Sequence, residues 1–385
     1  MSSHLPRVLH VAKALGRGGA ERLILEIARR ARAVGHDHQV AVVLAKPDAM
    51  AVDFAEANIP VHHMNANGTA GLYRLPGWLR GLVHQGSFDV VHGHFPLTSS
   101  LSRLARPRAR FRYVFTHHLF PSRYRRATRL LHQLTWSLVD LGVCVSDAVR
   151  ADAARVLGRR RPLLTIDNGI DTHWYVRRRD QAAARTALGL DPHVPVVGLV
   201  ANLAAQKRID RWISVAAEVY ARHPLVRFLI VGDGPDAKAA RELVSQCGIG
   251  HVVEFAGRVR DPRPYFEAMD LFLLTSDHEG FGLVVAEAMA MEVVPVVSAV
   301  GPLPDIVRPE WGRAVAPEAS ELARVVIELL SDAPQRRALA AMVRPAALKW
   351  YDIDRMVRAY LELYQKLVDD AASPGVRLGG RLRTR

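Results

Sequence analysis

Short apolar runs alternate with longer amphipathic segments through the first half of the chain. The runs predict strands at Val8–Ala12, Gln39–Leu44, Val61–Met64, Asp89–His92, Arg112–Thr116, Leu141–Val145 and Leu163–Ile166. Helical periodicity fills most of the intervals; over Gly19–Val34, for example, Leu23, Ile24 and Ile27 fall on one face. Strands that alternate with helices predict a parallel sheet covered by helices on both sides.

The second half repeats this pattern. Its predicted strands are Val196–Ala201, Arg227–Val231, Val252–Phe255, Leu271–Leu274 and Val294–Val297, with helices around 206–222, 235–247, 282–291 and 318–331. We therefore predict an α/β protein with two Rossmann-like domains, 1–172 and 173–352. A helical pattern over 353–370 follows, and a basic tail, 371–385, is predicted to be disordered.

The composition narrows the classes of function. Hydrophobic residues make up 49% of the 385 positions, which is enough for two cores. Cys144 and Cys247 lie in different halves, so the chain has neither a disulfide framework nor a zinc spacing. No signal peptide and no apolar stretch of about 18 residues occur, so the expected location is the cytoplasm. The net charge of +14 favours phosphate, nucleic acid or an anionic membrane as a partner.

The segment between the strands at Leu271–Leu274 and Val294–Val297 carries the strongest chemical signal. Glu279 lies in a glycine loop, and Glu287 lies eight residues later in the helix that follows. The first N–H groups of that helix favour a phosphate, whereas the carboxylates accept hydrogen bonds from sugar hydroxyls. This arrangement suits a ligand with a diphosphate and two sugar-like ends. The residues assigned to it are Glu279, Gly280, Phe281, Gly282, Leu283, Val284 and Glu287.

Three further segments follow predicted strands. Gly18 and Gly19 let a ligand approach the backbone at the start of the first helix, although a tight strand–helix turn explains them equally well. Lys207 can neutralise a leaving phosphate, with a solvated lysine as the alternative. His92 and His94 have no nearby Cys or carboxylate, so packing at a strand end is favoured over a metal site.

Nine segments, taken in order, resemble the retaining family-4 glycosyltransferases, which have the GT-B fold. They are Gly16–Glu21, His92–His94, Thr116–His118, Val145–Ser146, Asn168–Asp171, Gln206–Arg208, Val231–Pro235, Phe255–Arg258 and the E-x7-E spacing of Glu279 and Glu287. The resemblance runs from about residue 7 to about residue 370. It implies two domains that face each other across a cleft, with the C-terminal helix crossing back to the first domain.

The resemblance also implies individual roles. Glu279 would contact the donor sugar and Glu287 the ribose, and a histidine after the strand at Arg112–Thr116 would lie near the donor sugar and the acceptor. The expected catalytic residues are His118, which we favour over His117, Glu279 and Lys207. The expected donor site adds Gly18, Gly19, Asn202, Arg208, Gly232, Arg258 and Val259 to the residues around Glu279, and the acceptor side comprises His94, His117 and Arg17.

Three positions depart from the family pattern. Asn202 stands where the family usually has an arginine, so a charge beside the phosphates is missing unless Arg208 supplies it. Glu292 replaces a glycine after the helix that carries Glu287, where a left-handed residue is expected. Gly301–Asp305 replaces a Gly-Gly-x-Pro-Glu pattern, and its backbone is stiffer.

These observations predict a metal-independent hexosyltransferase without a cofactor. Its donor would be a nucleoside-diphosphate sugar, and its acceptor a hydroxyl group on a lipid-linked or cell-envelope glycan. The arginine-rich segment 103–129, with Phe111, Tyr113, Phe120 and Tyr124 interleaved, suggests peripheral binding to an anionic membrane, although solvated helix faces explain it equally well. A nucleotide-sugar epimerase is the enzymatic alternative. A nucleic-acid-binding protein is disfavoured because no element for reading bases is recognisable.

Overall fold

A computed structural model describes residues 4–16, 18–45, 49–108, 111–158 and 161–372. The chain divides into two compact units. The first runs from the N-terminus to Asn168 and resumes at Ile353, and the second is Gly169–Asp352. Arg17, predicted on the acceptor side, and residues 373–385 of the predicted basic tail lie outside the described residues.

The first unit is built on a parallel sheet. Its described strands are β1 (Val8–Ala12), β2 (His38–Leu44), β3 (Val61–Ala66), β4 (Val90–Gly93), β5 (Arg112–His117), β6 (Leu141–Cys144) and β7 (Leu163–Thr165), in the order β3-β2-β1-β4-β5-β6-β7. The order reverses between β1 and β4, and ligands of such sheets bind at the strand ends near this switch point. In the register, His10 of β1 pairs with Val40 of β2 and with His92 of β4.

Helices connect these strands and cover the sheet. They are α1 (Gly19–Ala33), α2 (Ala51–Glu56), α3 (Leu75–Gly86), α4 (Pro96–Ser102), α5 (Arg126–Leu134) and α6 (Asp147–Leu157). The predicted face of α1 is the buried one, since Leu23, Ile24 and Ile27 are at most 4% exposed. Burial of that face stabilises the helix more than its intrinsic propensity does.

The second unit has the same architecture, and all of its residues are described. Its strands are β8 (Val196–Val200), β9 (Arg227–Val231), β10 (Val253–Gly257), β11 (Leu271–Leu274), β12 (Val294–Ser298) and β13 (Arg313–Val315), in the order β10-β9-β8-β11-β12-β13. Its helices are α7 (Gln181–Ala187), α8 (Ile209–Arg222), α9 (Ala237–Gln246), α10 (Arg263–Ala268), α11 (Leu283–Ala290), α12 (Leu303–Ile306), α13 (Ala319–Ser331) and α14 (Ala333–Tyr351). The switch point lies between β8 and β11.

The C-terminal helix α15 (Ile353–Ala372) belongs to the first unit. Arg30 Nε of α1 donates to Asp354 Oδ1 over 2.6 Å, and Tyr360 and Tyr364 of α15 are buried in that unit. The predicted fold class, two parallel α/β domains with a returning C-terminal helix, is confirmed. Within the described residues, no helix combines the length and the apolar character that crossing a bilayer requires.

Five elements of the second unit were not predicted, namely β13, α7, α10, α12 and α14. Strand β13 is three residues long, and α14 contains Pro345, which lacks an N–H and usually interrupts a helix. Glu292, directly after α11, has φ 64°, which is the left-handed conformation that a glycine adopts without strain. The chain therefore keeps the left-handed turn and pays about 1 kcal/mol of backbone strain for it. Arg177 Nε lies 3.3 Å from Glu292 Oε2 and offsets part of this cost.

Candidate functional site

Two loops of the second unit bring Lys207 into contact with Glu279. Lys207 ends a 3₁₀ helix after β8, and Glu279 lies in the loop after β11. Because β8 and β11 are parallel neighbours, their carboxyl ends lie side by side. Lys207 Nζ donates to Glu279 Oε1 over 2.6 Å, and Ser276 Oγ donates to the same oxygen over 2.7 Å. The side chains of Lys207 and Glu279 are 12% and 9% exposed, so solvent screens this contact little.

Two hydrogen bonds to backbone carbonyls also hold these loops together, independently of the ion pair. Thr275 Oγ1 donates to the carbonyl of Lys207 over 2.9 Å. The N–H of Asp277 donates to the carbonyl of Gln206, also over 2.9 Å. Neither contact uses the side chain of Lys207 or Glu279. We therefore expect both loops to keep their backbone conformation when either side chain is substituted.

The helix α11 begins at a turn that requires glycine. Gly282, its N-cap, has φ 93°, and a Cβ at this position would lie 2.8 Å from Leu303 Cδ2. Phe281 is 4% exposed and packs edge-on against Tyr351, with ring centroids 5.7 Å apart. The other predicted residues of the turn and helix are Gly280, which is buried, and Leu283, Val284 and Glu287, which are partly buried. The free N–H groups at this helix start favour an anion.

The glycines after β9 have a structural cause. Gly232 has φ 130°, and a Cβ there would lie 1.8 Å from the carbonyl oxygen of Ala201. A Cβ at Gly234 would lie 2.3 Å from the carbonyl oxygen of Leu203. The loop after β9 thus packs directly on the backbone that leads from β8 to Lys207, and it supports that segment.

Arg258 and Val259, which were predicted in the donor site, directly follow β10. Arg258 is exposed and Val259 is half-buried. Gly257, the last residue of β10, has φ 65° and accepts a hydrogen bond from Gly232 N–H over 2.8 Å. The loops after β9 and β10 therefore lie next to each other at the edge of the sheet where Lys207 is found.

Arg208 is engaged by two carboxylates. Its backbone is left-handed, with φ 50°. The guanidinium donates to two carboxylates. Its Nη2 lies 2.8 Å from Asp210 Oδ2, and its Nη1 lies 3.3 Å from Asp277 Oδ1. The hydrogen bond from Arg208 lowers the pKa of Asp210. Asn202 is exposed on the loop after β8. Arg208 can replace the charge missing at Asn202 only by giving up these partners.

A row of four hydrogen-bonded histidines crosses the first unit. His38 begins β2, His10 is in β1, and His94 and His118 follow β4 and β5. His38 Nδ1 lies 3.0 Å from His10 Nε2, His10 Nδ1 lies 3.0 Å from His94 Nε2, and His94 Nδ1 lies 3.2 Å from His118 Nε2. We call His38, His10, His94 and His118 the histidine row. The first three are buried, and His118 is partly exposed.

His92 lies beside the histidine row but is bonded to hydroxyl groups. Its Nδ1 lies 2.7 Å from the hydroxyl of Tyr364, and its Nε2 lies 2.7 Å from Thr116 Oγ1. Thr116 Oγ1 in turn lies 3.1 Å from the hydroxyl of Tyr360. The helix α15 thus supplies both tyrosines that enclose His92.

Burial keeps the histidine row uncharged. It lowers the pKa of His10 to about 3 and that of His118 to about 4. Burial also lowers the pKa of His38 and of His94 well below the usual value, and neighbouring histidines add to the effect. At neutral pH each imidazole of the row therefore carries one proton, either on Nδ1 or on Nε2.

The structure separates His117 from His118. His117 is the last residue of β5 and is fully buried, and its Nδ1 lies 3.3 Å from the hydroxyl of Tyr124. Its ring packs against His132 and Trp136, with centroids 5.3 and 5.4 Å away. Because successive strand residues point to opposite faces, His117 and His118 enter different environments. Of the two, His118 is the one in contact with His94.

The basic segment 103–129 lies only partly on the surface. Arg103 is fully buried, and its guanidinium carbon lies 4.8 Å from the ring centroid of Phe115. Burial lowers the pKa of Arg103 to about 10. Phe111 and Tyr113 are 7% and 0% exposed. The prediction that these three side chains lie on a membrane-facing surface is therefore wrong, because they fill the interior between β5 and its covering helices.

Three histidines are close enough to share a metal ion. Ring nitrogens of His10, His92 and His94 lie within 4.8 Å of one another. His10 Nδ1 is already bonded to His94, however, and both nitrogens of His92 contact hydroxyls. Among the described residues, the charges that act on His94 come from other histidines, so a divalent cation would lack a compensating carboxylate. Hydrogen bonds between neutral histidines therefore explain the positions of His10 and His94 better than a shared metal ion does.

Gly18 and Gly19 form the entrance to α1. Gly18 is its N-cap and Gly19 its first residue, and both are exposed. A Cβ at Gly18 would lie 2.4 Å from Glu21 Oε2, so the carboxylate occupies the space that a side chain would take. Burial raises the pKa of Glu21. The backbone at this helix start is open to a ligand.

Sequence reasoning missed His10 and His38 as members of a polar cluster. Both interrupt apolar strands, as Val8-Leu9-His10-Val11 and His38-Gln39-Val40. A histidine within a strand that is otherwise fully buried needs a hydrogen-bond partner inside the protein. Applied to His10, His92 and His94 together, this requirement predicts a cluster of hydrogen-bonded histidines, which the sequence analysis did not consider.

Two protein-family models together match most of the chain. The model for glycosyltransferase family 4 matches residues 17–174, and the model for glycosyl transferases group 1 matches residues 180–344. A D-inositol 3-phosphate glycosyltransferase of Catenulispora acidiphila is 28% identical over 361 residues, which is 83% of each chain. The gpi3 subunit of the phosphatidylinositol N-acetylglucosaminyltransferase of Schizosaccharomyces pombe is 25% identical over 82% of this chain and 70% of its own.

The fold is shared with solved structures. The Anabaena protein Alr3699/HepE, in complex with UDP, superposes with a TM-score of 0.83 and 21% identity, covering 94% of this chain and 100% of its own. The same protein in complex with UDP-glucose gives a TM-score of 0.82 and 22% identity over the same shares. The chain belongs to glycosyltransferase family 4, and it has the GT-B fold.

Proposed function

We propose that this glycosyltransferase moves a hexose-type sugar from a nucleoside-diphosphate sugar to a hydroxyl acceptor, with retention of the anomeric configuration. The contact between Lys207 and Glu279 carries this proposal. It places a cation and a carboxylate, both largely buried, beside the N-terminus of α11. A cation and helix N–H groups suit a diphosphate, and a carboxylate suits sugar hydroxyls.

We assign the polar groups of this site either to the sugar or to the nucleoside diphosphate of such a donor. Glu279 Oε1 accepts hydrogen bonds from Lys207 and Ser276, so we assign Oε2 to a hydroxyl of the donor sugar. Lys207 has three N–H donors, and those not directed at Glu279 are assigned to the diphosphate. Glu287, one turn into α11, is assigned to the ribose. The UDP and UDP-glucose complexes of the Anabaena neighbour support a uridine nucleotide as the first donor to test.

The proposed reaction uses positioning and charge stabilisation. The bond between the anomeric carbon and the diphosphate oxygen breaks, and the acceptor oxygen bonds to that carbon on the same face. The acceptor proton passes to the departing phosphate oxygen, so charge and atoms balance. Lys207 and the helix N–H groups stabilise the charge that develops on the phosphate, without a bound metal. His118 is assigned to the acceptor or the donor sugar.

A donor screen tests this proposal. UDP-, GDP- and ADP-sugars are compared by thermal shift and by turnover, with Mg²⁺ and with EDTA. A donor at about one hundred times its Kd stabilises the protein by about 2.7 kcal/mol. Glu279→Gln leaves the Lys207 charge without its partner and should lower the melting temperature, but it should lower turnover even at temperatures where the protein is fully folded. Glu287→Ala should raise the donor KM. Glu292→Ala, at the far end of the same helix, is the matched control and should leave both constants unchanged.

Three outcomes of this screen would contradict parts of the proposal. If no nucleotide sugar shifts the melting temperature, the donor site is wrongly assigned. If turnover requires Mg²⁺ and EDTA abolishes it, the metal-independent mechanism fails. If a sugar product forms at full rate in the absence of any acceptor, the chain is an epimerase or a hydrolase and the transfer proposal fails.

We further propose that the acceptor is presented at an anionic membrane surface, where α5 docks. Leu130 and Leu134 are 58% and 70% exposed, and they lie one turn apart on the same face of α5. Arg123, Arg125 and Arg126 are exposed at the start of this helix. Apolar side chains flanked by arginines are typical of helices that lie in a lipid interface. The curated relative that acts on phosphatidylinositol supports a lipid-linked acceptor.

Vesicle flotation tests the membrane proposal. Each arginine near an anionic leaflet contributes about 1 kcal/mol, and each fully buried leucine about 1.5–3 kcal/mol. We expect the protein to float with vesicles of phosphatidylglycerol but not with neutral phosphatidylcholine vesicles. Leu130→Ser/Leu134→Ser should abolish flotation, whereas Leu225→Ser, an exposed leucine of the second unit, should not. Equal flotation with neutral and anionic vesicles would contradict the electrostatic part of the proposal.

A further inference from the structure

The histidine row restricts where its protons can be. In each of its three contacts, one ring nitrogen faces another, and a hydrogen bond forms only if one of the two carries a proton. All three contacts use Nδ1 of one ring and Nε2 of the next. If His38 is protonated on Nδ1, then His10 Nε2 must be the acceptor, so His10 is protonated on Nδ1, and the same holds for His94 and His118.

A neutral row therefore has two arrangements in which every internal contact is satisfied. In one, all four histidines are protonated on Nδ1; in the other, all four are protonated on Nε2. They differ at the two ends. The first leaves a lone pair on His38 Nε2 and an N–H at His118 Nδ1, and the second leaves an N–H on His38 Nε2 and a lone pair at His118 Nδ1.

The inner end of the row selects between these arrangements. His38 Nε2 is buried and has no hydrogen-bond partner among the described residues. A buried N–H without an acceptor is rarer in proteins than an acceptor without a donor. The ring of Tyr364 lies edge-on to His38, with centroids 5.6 Å apart, and so restricts its surroundings further. The arrangement that leaves a lone pair at His38 Nε2 is the more stable one.

We propose that His38, His10 and His94 are positioning residues that hold His118 as its Nδ1–H tautomer, so that its partly exposed edge presents a hydrogen-bond donor. A histidine in water prefers the Nε2–H form, so the row imposes the less common tautomer on His118. The donor would meet an oxygen of the substrate. This last step rests on the proposed function, whereas the tautomer assignment concerns the protein alone.

His92 provides an internal control for this argument. It is as deeply buried as His38, His10 and His94, and its ring centroid lies 4.0 Å from that of His94. Both of its partners are hydroxyls, of Tyr364 and Thr116, which can donate or accept. Its tautomer is therefore not coupled to the row, and Tyr364→Phe should alter His92 without changing the tautomers of the other four.

Nuclear magnetic resonance measures the tautomers directly. The full-length protein is labelled with ¹⁵N-histidine, and two-bond nitrogen–proton correlations at pH 7.5 distinguish Nδ1–H from Nε2–H rings. We expect four Nδ1–H signals, each assigned to its ring by nuclear Overhauser contacts with neighbouring side chains. An Nε2–H signal for any of the four overturns the proposal. So does about one equivalent of bound zinc in the purified protein with histidine signals that change on addition of EDTA, because the row would then be a metal site.

Breaking the row next to His118 should release its tautomer. In His94→Phe, His118 Nε2 loses its donor, and because His118 is partly exposed, we expect its main form to become Nε2–H. In Tyr364→Phe, His118 should stay Nδ1–H. If His118 keeps Nδ1–H in a folded His94→Phe protein, His94 does not set it. The wild-type spectrum remains a test even if this variant does not fold.

Two substitutions of His118 connect the tautomer to transfer. The amide of asparagine occupies the place of Nδ1, whereas the longer glutamine brings its amide to the place of Nε2. We expect His118→Asn to retain kcat within about tenfold and His118→Gln to lose about a hundredfold. The reverse order would show that Nε2 meets the substrate and would overturn the proposal. Full activity of both variants, together with four Nδ1–H signals in the wild-type spectrum, would refute the role of His118 in transfer while leaving the tautomer assignment intact.

Discussion

Measuring stability and turnover in the same variants tests whether the contact between Lys207 and Glu279 stabilises the fold or acts in sugar transfer. Lys207 Nζ and Glu279 Oε1 are 2.6 Å apart, and the side chains are 12% and 9% exposed. At an effective dielectric constant of about 20, this separation corresponds to a Coulomb energy of about 6 kcal/mol, of which desolvation cancels a large part. Removing one partner of such a pair costs about 3–5 kcal/mol, because the other charge stays buried. We therefore expect Lys207→Met to destabilise the second unit by about 3 kcal/mol.

The double variant Lys207→Met/Glu279→Gln should recover much of this loss. It contains no buried charge at this site, and the amide that replaces the carboxylate can still accept the hydrogen bond from Ser276. Because no charge stays buried without a partner, the double variant is expected to be about 2–3 kcal/mol more stable than Lys207→Met. At about 2–4 °C per kcal/mol for a domain of this size, the double variant should melt about 5–10 °C above Lys207→Met. Thermal and urea unfolding of the four proteins in the cycle measure this difference.

Turnover should not recover with stability. Loss of a preorganised charge beside the reacting group costs about 10²–10³ in kcat, and the double variant lacks both charges. If its turnover returns in proportion to its melting temperature, the pair is structural and the donor-site reasoning is refuted. Lys238→Met/Glu242→Gln, in an exposed pair of α9 with atoms 3.8 Å apart, is the matched control and should change neither quantity measurably.

Four further predictions follow from individual residues. Glu292→Gly should be more stable than Glu292→Ala by about 1 kcal/mol, since both lose the contact with Arg177 and only glycine relieves the strain at φ 64°; equal melting temperatures would contradict this. Stability of the first unit should fall as the pH is lowered from about 6.5 towards 4, because burial lowers the pKa of His10 to about 3 and that of His118 to about 4 and the unfolded chain therefore binds more protons in this range. At pH 5 the loss from these two groups is about 4 kcal/mol, and thermal scans of His10→Gln should show about half of it. Asn202→Arg should lower the donor KM, and an unchanged KM would place residue 202 away from the phosphates. Arg103→Met should leave the melting temperature unchanged or raised, because this buried cation has unsatisfied Nε and NH2 groups and no carboxylate partner among the described residues; a marked drop would indicate that the guanidinium holds a bound anion or water.

The sequence predicted the elements whose patterns are local. Strands β1, β9 and β11 begin and end at the predicted residues, because apolar residues dominate each of them; β11, for example, is a continuous apolar run between Asp270 and Thr275. The helix α14 was missed because Pro345 argues against a helix, whereas tertiary contacts hold it: Arg344 NH1 donates to the carbonyl of Tyr175 over 2.8 Å. Its sequence carries no sign of that partner, which lies 169 residues away.

The predicted surface around Tyr113 shows the opposite failure. Arginines that alternate with aromatic residues predict a basic surface. Arg103 and Tyr113 are nevertheless fully buried and in contact with each other. The guanidinium carbon of Arg103 lies 5.6 Å from the ring centroid of Tyr113 and 5.4 Å from that of Trp136. Aromatic rings stabilise a buried guanidinium, and charge alone does not distinguish that environment from solvent.

The candidate site was predictable residue by residue, but its pairings were not. Glu279 was identified from the local E-x7-E spacing, and Lys207 from its place after an apolar run. Nothing local indicates that they touch, since 72 residues separate them. The pairing arises because β8 and β11 are neighbours across the switch point of the sheet, so the loop after each strand ends at the same edge. The same topology places His10 of β1 between residues of β2 and β4 and so assembles the histidine row. In both units strand order brings the candidate residues together, which is why strand order has to be known before roles can be proposed for pairs.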